Sequence, residues 1–320
     1  MTDRSLFLRA LGLGDFLTGV PALRAARRAL PDDEIVLAAP EALRPLVDLS
    51  GAVDTLLPTG ELEPVPWHGD PPAVAVDLHG NGPESHRLLD ALSPERTVSF
   101  HGDGPDWDPD EHERDRWCRL VSWAFAVDSD PEDLLLPAPA PSSLTDAVVI
   151  HPGAAYPSRR WPPERFAVVA RWAAALGERV VVTGGPAEVE IAHQVQALAG
   201  LPASAVVAGR TDLVELAAVV AHARLVICGD TGVAHLASAF GTPSVVLFGP
   251  TPPGRWGPPR SGPHSPLWRG TTVGDPHGER PDRALLRIRV GDVIDVAAVR
   301  LEAGRSGVIP AGRPPTRSSG

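Results

Sequence analysis

Four residues in the second half of the chain, Gly229-Asp230-Thr231-Gly232, have the types and spacing of a turn that binds an anion. They follow an apolar run from Arg224 to Cys228 and precede small residues that begin with Val233-Ala234-His235. That order predicts a strand, a tight turn and a helix start. Glycine permits close backbone approach, Asp and Thr are good N-cap residues, and the first N–H groups of a helix favour an anion. The pattern predicts a phosphate site, with a purely structural capped turn as the alternative.

A second candidate group, Gly12-Leu13-Gly14-Asp15, lies close to the N-terminus. Two glycines could open a dinucleotide fingerprint, but Leu17 fills the position of the third glycine. No acidic residue ends the next strand, at Ala38, to hold a ribose. An NAD site is therefore not expected, and Asp15 is either a helix cap or a reactive carboxylate at the end of a glycine loop.

Arginine, glutamate and histidine side chains near other strand ends complete the candidate set. Arg159 and Arg160 lie in a proline-rich loop, where arginines are usually solvated, but a guanidinium facing a helix N-terminus can bind phosphate oxygens in pairs. Glu190 belongs to a predicted first helical turn, where carboxylates commonly serve only the helix dipole. His235 is either a structural histidine or a ligand contact.

The composition indicates a globular protein without a global attraction for polyanions. The chain has 320 residues, 43% of them hydrophobic, and a formal net charge of −11 with arginine as its only basic residue besides histidine. Cys118 and Cys228 are too few for a disulfide framework or a metal motif. No apolar run approaches the ~18 residues of a membrane span, and no secretory segment opens the chain. We expect a cytoplasmic protein that does not bind nucleic acid.

The elements that must position these residues alternate between strand and helix, which predicts parallel sheets covered on both faces. The predicted linker, Asp128 to Ser143, contains Pro137-Ala138-Pro139-Ala140-Pro141. We expect a first domain over 1–140 and a second over 141–290. We expect a helix over 291–304 that is able to pack back on the first domain. We expect a disordered tail over 305–320.

Within the first domain we place the first helix at Pro21 to Leu30. Within the second we count five strands, including Ala205 to Val207, and four helices, and we read Pro250 to Gly278 as a loop. This order of elements predicts an α/β, doubly wound architecture for each domain.

Three islands of sequence, in this order and spacing, resemble glycosyltransferase family 9, the heptosyltransferase family of GT-B fold. They are Leu11-Gly12-Leu13-Gly14-Asp15-Phe16-Leu17 with Pro21-Ala22-Leu23; His151-Pro152-Gly153-Ala154 with Arg159-Arg160-Trp161-Pro162; and Gly229 to Ala237 with Gly241-Thr242-Pro243 and Leu247-Phe248-Gly249-Pro250-Thr251. The resemblance covers roughly residues 5 to 255. It implies two Rossmann-like domains that face a central cleft.

The resemblance also implies roles for single residues. Asp15 matches the catalytic base, and Arg159 stands where the family usually has a lysine that neutralises the diphosphate. The matching donor-binding residues are Gly14, Glu190 for the ribose, Thr211 near the base, and Asp230, Thr231, Gly232 and His235 near the phosphates.

The implied reaction transfers a sugar with inversion, from an ADP-heptose-like nucleotide-diphosphate donor to a saccharide or glycolipid acceptor. The family builds lipopolysaccharide core, so peripheral contact with the inner face of the membrane stays open. GT-B enzymes generally use no metal, and no cofactor is expected. A GT-B nucleotide-sugar epimerase and a noncatalytic nucleotide-sugar-binding protein are the alternatives.

Overall fold

A computed structural model of the protein describes residues 3–306, and their side chains up to residue 304. The chain divides into two compact units between Pro137 and Ala138, inside the predicted proline-rich linker. Among the described residues, no helix is both long enough and apolar enough to cross a membrane.

The first unit is built on a five-stranded parallel sheet of order β3-β2-β1-β4-β5. The central strands are buried on both faces, as parallel strands covered by helices must be. The elements in chain order are β1 Arg4–Leu8, α1 Leu13–Ala29, β2 Glu34–Ala39, α2 Arg44–Ser50, β3 Thr55–Pro58, β4 Val74–Asp77, α3 Pro83–Asp90, β5 Arg96–Val98 and α4 Glu113–Phe125.

Helix α1 begins at Leu13, directly after Gly12, and not at Pro21 as predicted. Pro21 lies inside the helix and is buried. The proline removes one backbone hydrogen bond, but α1 is buried along most of its length and packs against α4, and tertiary burial of this kind overrides local propensity. As a consequence, Asp15 lies in the first turn of α1 and not in a loop that precedes the helix.

The second unit is built on another five-stranded parallel sheet, of order β10-β9-β8-β6-β7. Its elements in chain order are β6 Ala147–His151, α5 Pro163–Ala175, β7 Arg179–Val182, α6 Val189–Ala199, α7 Leu213–Ala221, β8 Leu225–Gly229, α8 Gly232–Ala239, β9 Ser244–Phe248, α9 Pro253–Trp256, β10 His264–Trp268, α10 Arg283–Leu286 and α11 Val290–Ser306.

The fifth strand of this sheet is not the predicted one. Ala205 ends a short 3-10 helix, Ala203–Ala205, and the next two residues pair with β7 only through a single bridge between Val182 and Val206. The fifth strand is β10, inside the segment predicted as a loop. Because β10 is an edge strand that pairs only with β9, it tolerates Pro266 and the loss of its backbone donor.

Helix α11 packs within the second unit, against α5, β8 and β9. Val293, Ala297 and Leu301 are four residues apart and form its buried stripe, which is part of the core of this unit. The predicted tail, 305–320, lies outside the described side chains, although α11 itself extends to Ser306.

Candidate functional site

Each sheet has a position where the strand order reverses, between β1 and β4 in the first unit and between β6 and β8 in the second. The connections on the two sides of such a point leave in opposite directions, which opens a crevice at the carboxyl ends of the strands. Asp15 follows β1, and the turn Gly229-Asp230-Thr231-Gly232 follows β8. The fold therefore places these predicted site residues at the two crevices where open α/β sheets bind ligands.

In the second unit, the turn between β8 and α8 has an unusual N-cap. Thr231 occupies the N-cap position of α8 with extended backbone, yet its side chain makes no capping hydrogen bond. Its Oγ1 is buried and has no hydrogen-bond partner among the described residues. The hydroxyl thus remains available beside a helix N-terminus, where an anion is stabilised.

The loop that carries Arg159 lies against the same turn. A Cβ atom on Gly229 would be only 3.0 Å from the carbonyl oxygen of Arg159, and one on Gly249 only 3.3 Å from that of Ser158. The loop therefore rests on the ends of β8 and β9, where glycine leaves room for it. The Nε of Arg159 is buried and, among the described residues, has no partner, while its Cζ lies 5.7 Å from the ring centroid of Tyr156.

Hydrogen bonds from both sides fix this loop. The backbone N–H of Ser158 donates to Gly278 (3.0 Å) and its hydroxyl to Pro276 (2.8 Å), while its carbonyl accepts from the N–H of Asp282 (3.1 Å). Arg160 donates from Nε to the carbonyl of Ala154 (2.8 Å). The two adjacent arginines therefore differ, because Arg160 holds the loop and the Nε of Arg159 is left for another group.

Glu190, predicted to hold a ribose, is exposed and lines a surface cavity of ≈ 380 Å³ together with Arg160, Trp161 and Gln194. Glu190 is the second residue of α6, and the short 3-10 helix Pro186–Glu188 lies between β7 and this helix.

The glutamate that lies at the carboxyl ends of β6 and β7 is Glu188. Its Oε2 accepts a hydrogen bond from the N–H of Gly185 (2.7 Å) and lies 3.6 Å from Nε2 of His151. A Cβ atom on Gly153 would collide with its carboxylate. Gly153 is the residue whose missing side chain leaves room for this carboxylate.

His151 ends β6 and is buried, with Nδ1 3.1 Å from the hydroxyl of Thr183. Burial lowers the pKa of His151, and the nearby carboxylate of Glu188 acts in the opposite direction. The imidazole is therefore neutral at pH 7. Sequence reasoning assigned no role to this residue.

The other predicted donor-site residues of the second unit follow the carboxyl ends of strands in the same sheet. Asp230 is buried directly after β8, and His235 is buried in α8 with its ring centroid 5.8 Å from that of Trp256. Thr211 is half-buried and precedes Asp212, the N-cap of α7, in a loop whose Gly209 N–H donates to the carbonyl of Gly184 (2.9 Å). No group of three or more His, Cys, Asp or Glu side chains in residues 3–304 could hold a metal ion.

In the first unit, Asp15 is the third residue of α1, after Gly14, and both are half-buried. The N-cap of α1 is Gly12, so Asp15 is not the cap that the alternative interpretation required. Burial raises the pKa of Asp15, while the Arg9 guanidinium acts in the opposite direction. The structure thus provides a carboxylate with increased basicity at the β1 side of the first crevice.

Arg9 lies beneath Asp15 and is fully buried. It donates to the backbone carbonyls of Asp15 and Leu78, to Thr18 Oγ1 (3.0 Å) and to Glu113 Oε1 (3.2 Å). One guanidinium therefore joins β1, the first turn of α1, the end of β4 and α4. Sequence reasoning did not identify Arg9, because its partners are distant in the chain.

Known protein sequences match less than half of this chain. Residues 124–266 match the model of glycosyltransferase family 9 (heptosyltransferase). The chain is 32% identical over 153 residues to lipopolysaccharide heptosyltransferase 3 of Escherichia coli, which covers 47% of this chain and 45% of that protein. It is 30% identical to lipooligosaccharide heptosyltransferase 2 of Haemophilus influenzae over 44% of this chain and 38% of that protein. The chain thus spans less than half the length of these curated relatives.

Solved structures resemble nearly the whole chain. A family 9 glycosyl transferase from Veillonella parvula matches with a TM-score of 0.77 at 21% identity, over 94% of this chain and 97% of that one. The ADP-heptose lps heptosyltransferase II of E. coli matches with a TM-score of 0.73 at 21% identity, over 95% of this chain and all of that one (100%). These likenesses, with the two doubly wound units, confirm the predicted GT-B fold.

Proposed function

Because residues 124–266 match the model of glycosyltransferase family 9, we propose that the chain belongs to this family and transfers a sugar from a nucleotide-diphosphate donor to a saccharide or lipid-linked acceptor. The donor we propose is ADP-heptose or a close analogue. The relatives that support this choice are named heptosyltransferases, and the name of one of the similar solved structures includes ADP-heptose.

One observation carries the proposal. Arg159 Nε and Thr231 Oγ1 are both buried, and neither has a hydrogen-bond partner among the described residues. Both residues belong to segments that touch Gly229, at the crevice beside β8. A buried donor without a partner is costly, and a diphosphate would supply acceptor oxygens to both groups at the N-terminus of α8.

The other proposed donor contacts follow from where each residue lies relative to the carboxyl ends of the strands in the second unit. Glu188 takes the ribose role that the sequence suggested for Glu190, because its carboxylate lies at the ends of β6 and β7. Thr211 stays the proposed neighbour of the base. Asp230 and His235, with the first amides of α8, are proposed to face the phosphates and the sugar.

In the proposed reaction the carboxylate of Asp15 removes the proton of an acceptor hydroxyl while that oxygen attacks the anomeric carbon. The bond from this carbon to the diphosphate oxygen breaks on the opposite side, so the anomeric configuration inverts. Arg159 and the amides of α8 stabilise the charge that develops on the leaving diphosphate. The raised pKa of Asp15 suits a base, because it strengthens the proton affinity of the carboxylate.

The test is to incubate the full chain with ADP-heptose and a panel of saccharides and core-type glycolipids. ADP release is followed together with mass spectrometry of products, and the anomeric configuration of the product is read by NMR. We expect ADP release that depends on the acceptor and a product heavier by one heptose. A modified free sugar formed without acceptor would indicate the epimerase, and binding without ADP release would indicate a noncatalytic protein. Either result would overturn the proposal.

A further inference from the structure

Histidines gather at the carboxyl ends of β4 and β5 in the first unit, around the buried carboxylate of Asp77. Oδ1 of Asp77 accepts from the backbone N–H of His79 (2.9 Å). Its Oδ2 accepts from the hydroxyl of Ser85 (2.8 Å) and lies 3.3 Å from Nε2 of His86. The rings of His86 and His101 contact each other at a tilt of 35°, with 5.1 Å between their centroids. Asp77 is thus occupied by structural partners and fixes the backbone of His79.

Two imidazole nitrogens of this cluster, Nε2 of His86 and Nδ1 of His79, are shielded from solvent and have no hydrogen-bond partner among the described residues. Nε2 of His86 at least lies against the carboxylate of Asp77, whereas Nδ1 of His79 is left for another group. Burial lowers the pKa of His79, which also feels the charges of Asp77, Arg9, Glu61 and Asp15. A neutral imidazole offers one donor and one acceptor nitrogen, and a buried ring nitrogen without a partner is unfavourable unless a ligand completes it.

His79 and Asp15 lie on the two sides of one crevice. Leu8 at the end of β1 pairs with Asp77 at the end of β4, which places the residues that follow these strands at the point where the strand order reverses. The guanidinium of Arg9 donates to the carbonyls of both Asp15 and Leu78, the residue before His79. One buried cation therefore holds the backbone on both sides.

We propose that His79 orients the acceptor, by a hydrogen bond from its imidazole to a hydroxyl that neighbours the one deprotonated by Asp15. This inference rests on the proposed function. It also names a ligand class, a pair of neutral sugar hydroxyls. Asp77, Glu61 and Asp15 act on the imidazole as negative charges and outnumber the one cation that acts on it, Arg9, which opposes a phosphate or carboxylate at this position.

The kinetic test compares His79→Leu, which keeps the volume but has no polar atom, with His79→Gln, which can still donate and accept. The matched control is His68→Leu, an exposed histidine of the same unit. The donor is saturating ADP-heptose, and the acceptor is heptose-free core oligosaccharide at varied concentration. We expect His79→Leu to lower kcat/KM for the acceptor by ~10- to 100-fold, as loss of a buried hydrogen bond implies. His79→Gln should restore most of it, and the Kd for ADP should not change.

Transfer by His79→Leu at the rate of His68→Leu would overturn the inference while leaving the proposed function intact. No transfer by the wild-type protein would overturn the proposed function itself. Because His79→Leu could fold poorly, a second measurement uses the folded protein without ligand. The NMR titration of the His79 ring should show a lower pKa in Asp15→Asn than in wild type, since a neighbouring negative charge is lost. An unchanged pKa would show that the two groups do not share a crevice.

Discussion

Asp15 is held under two opposing influences. Burial favours the neutral carboxyl, whereas the guanidinium of Arg9 favours the carboxylate, and burial is the larger effect, so that the pKa is raised. Arg9 also donates to the backbone carbonyl of Asp15, which fixes the turn without neutralising the side chain directly. This arrangement serves a base better than it serves a structural ion pair.

The first prediction concerns the activity of Asp15→Asn. The amide keeps the size of the carboxylate but cannot accept the proton, so transfer should fall by a factor of ~10² to 10⁴, the usual contribution of a general base. Single-turnover rates measure the loss, and calorimetry should give an unchanged Kd for ADP. Asp32→Asn, at an exposed acid of the same unit, is the control. Wild-type rates in Asp15→Asn would exclude Asp15 as the base.

The second prediction concerns the stability of the same variant. The pKa of Asp15 is higher in the folded protein than its ordinary value of 3.8, so ionisation favours the unfolded chain as pH rises through the interval between the two values. Above that interval Asp15→Asn should have a higher Tm than wild type. Well below pH 3.8 the wild-type side chain is neutral in both states and the difference should shrink. A lower Tm for Asp15→Asn at pH 7 would mean that the carboxylate stabilises the fold.

The third prediction separates charge from geometry at Arg159. Arg159→Ala should lower turnover by ~10-fold or more, because the charge on the leaving diphosphate is less well stabilised. Arg159→Lys keeps the charge and should retain much of the activity. Arg283→Ala, an exposed arginine of the same unit, is the control. Equal turnover of Arg159→Ala and this control would show that Arg159 takes no part in the reaction.

At the scale of residues, the sequence identified types near strand ends but not their directions. It indicated Thr231 and Arg159 because glycine turns and loop arginines are local patterns. Glu190 was assigned from the family resemblance, which does not show that the 3-10 helix before α6 brings Glu188 next to His151. Sequence reasoning assigned no role to His79, which lies two residues beyond the end of β4.

At the scale of elements, the candidate donor site depends on how closely the Arg159 loop approaches the end of β8. Gly229 permits this approach, since any Cβ there would be 3.0 Å from the carbonyl of Arg159. The close approach is a backbone-to-backbone contact, so a flexible side chain cannot relieve it. The position of the loop that carries Arg159 is thus sensitive to a single methyl group at residue 229.

The fourth prediction is that Gly229→Ala displaces this loop and weakens ADP binding. A shift of a few tenths of an ångström should raise the Kd for ADP by roughly 10-fold, about 1.4 kcal/mol. Gly254→Ala is the matched control, because a Cβ atom there meets no other atom within 4 Å. Calorimetry on both variants decides it, and equal affinities for ADP would separate the loop from nucleotide binding.

Most elements could be predicted because buried parallel strands and amphipathic helices alternate in the sequence. The errors share a cause, which is tertiary context. Helix α1 continues through Pro21 because it is packed along most of its length, and β10 forms in a proline-rich segment because an edge strand needs few backbone donors. Residues 205–207 have strand composition but gain only one bridge.

At the scale of the whole molecule, the chain is two doubly wound units, each with its own sheet and core. The second unit includes α11, whose buried residues belong to the core around β8 and β9. The core of the second unit therefore combines residues from the start of this unit, such as Val148, with residues from its last helix, such as Leu301. Among the predicted donor-site residues, only Gly14 lies in the first unit.

The last prediction follows from this division. A fragment over 138–320 should fold by itself, because it contains a complete sheet, the helices that cover it and α11. It should bind ADP with a Kd within about tenfold of the full chain, a difference of no more than ~1.4 kcal/mol, since Arg159, Thr231 and the start of α8 are all present. It should transfer no sugar, because Asp15 is absent. Circular dichroism establishes folding and calorimetry the affinity, with Arg159→Ala in the fragment as the control for specific binding. A folded fragment that does not bind ADP would show that the first unit supplies essential donor contacts, and the assignment of the donor site to the second unit would then be wrong.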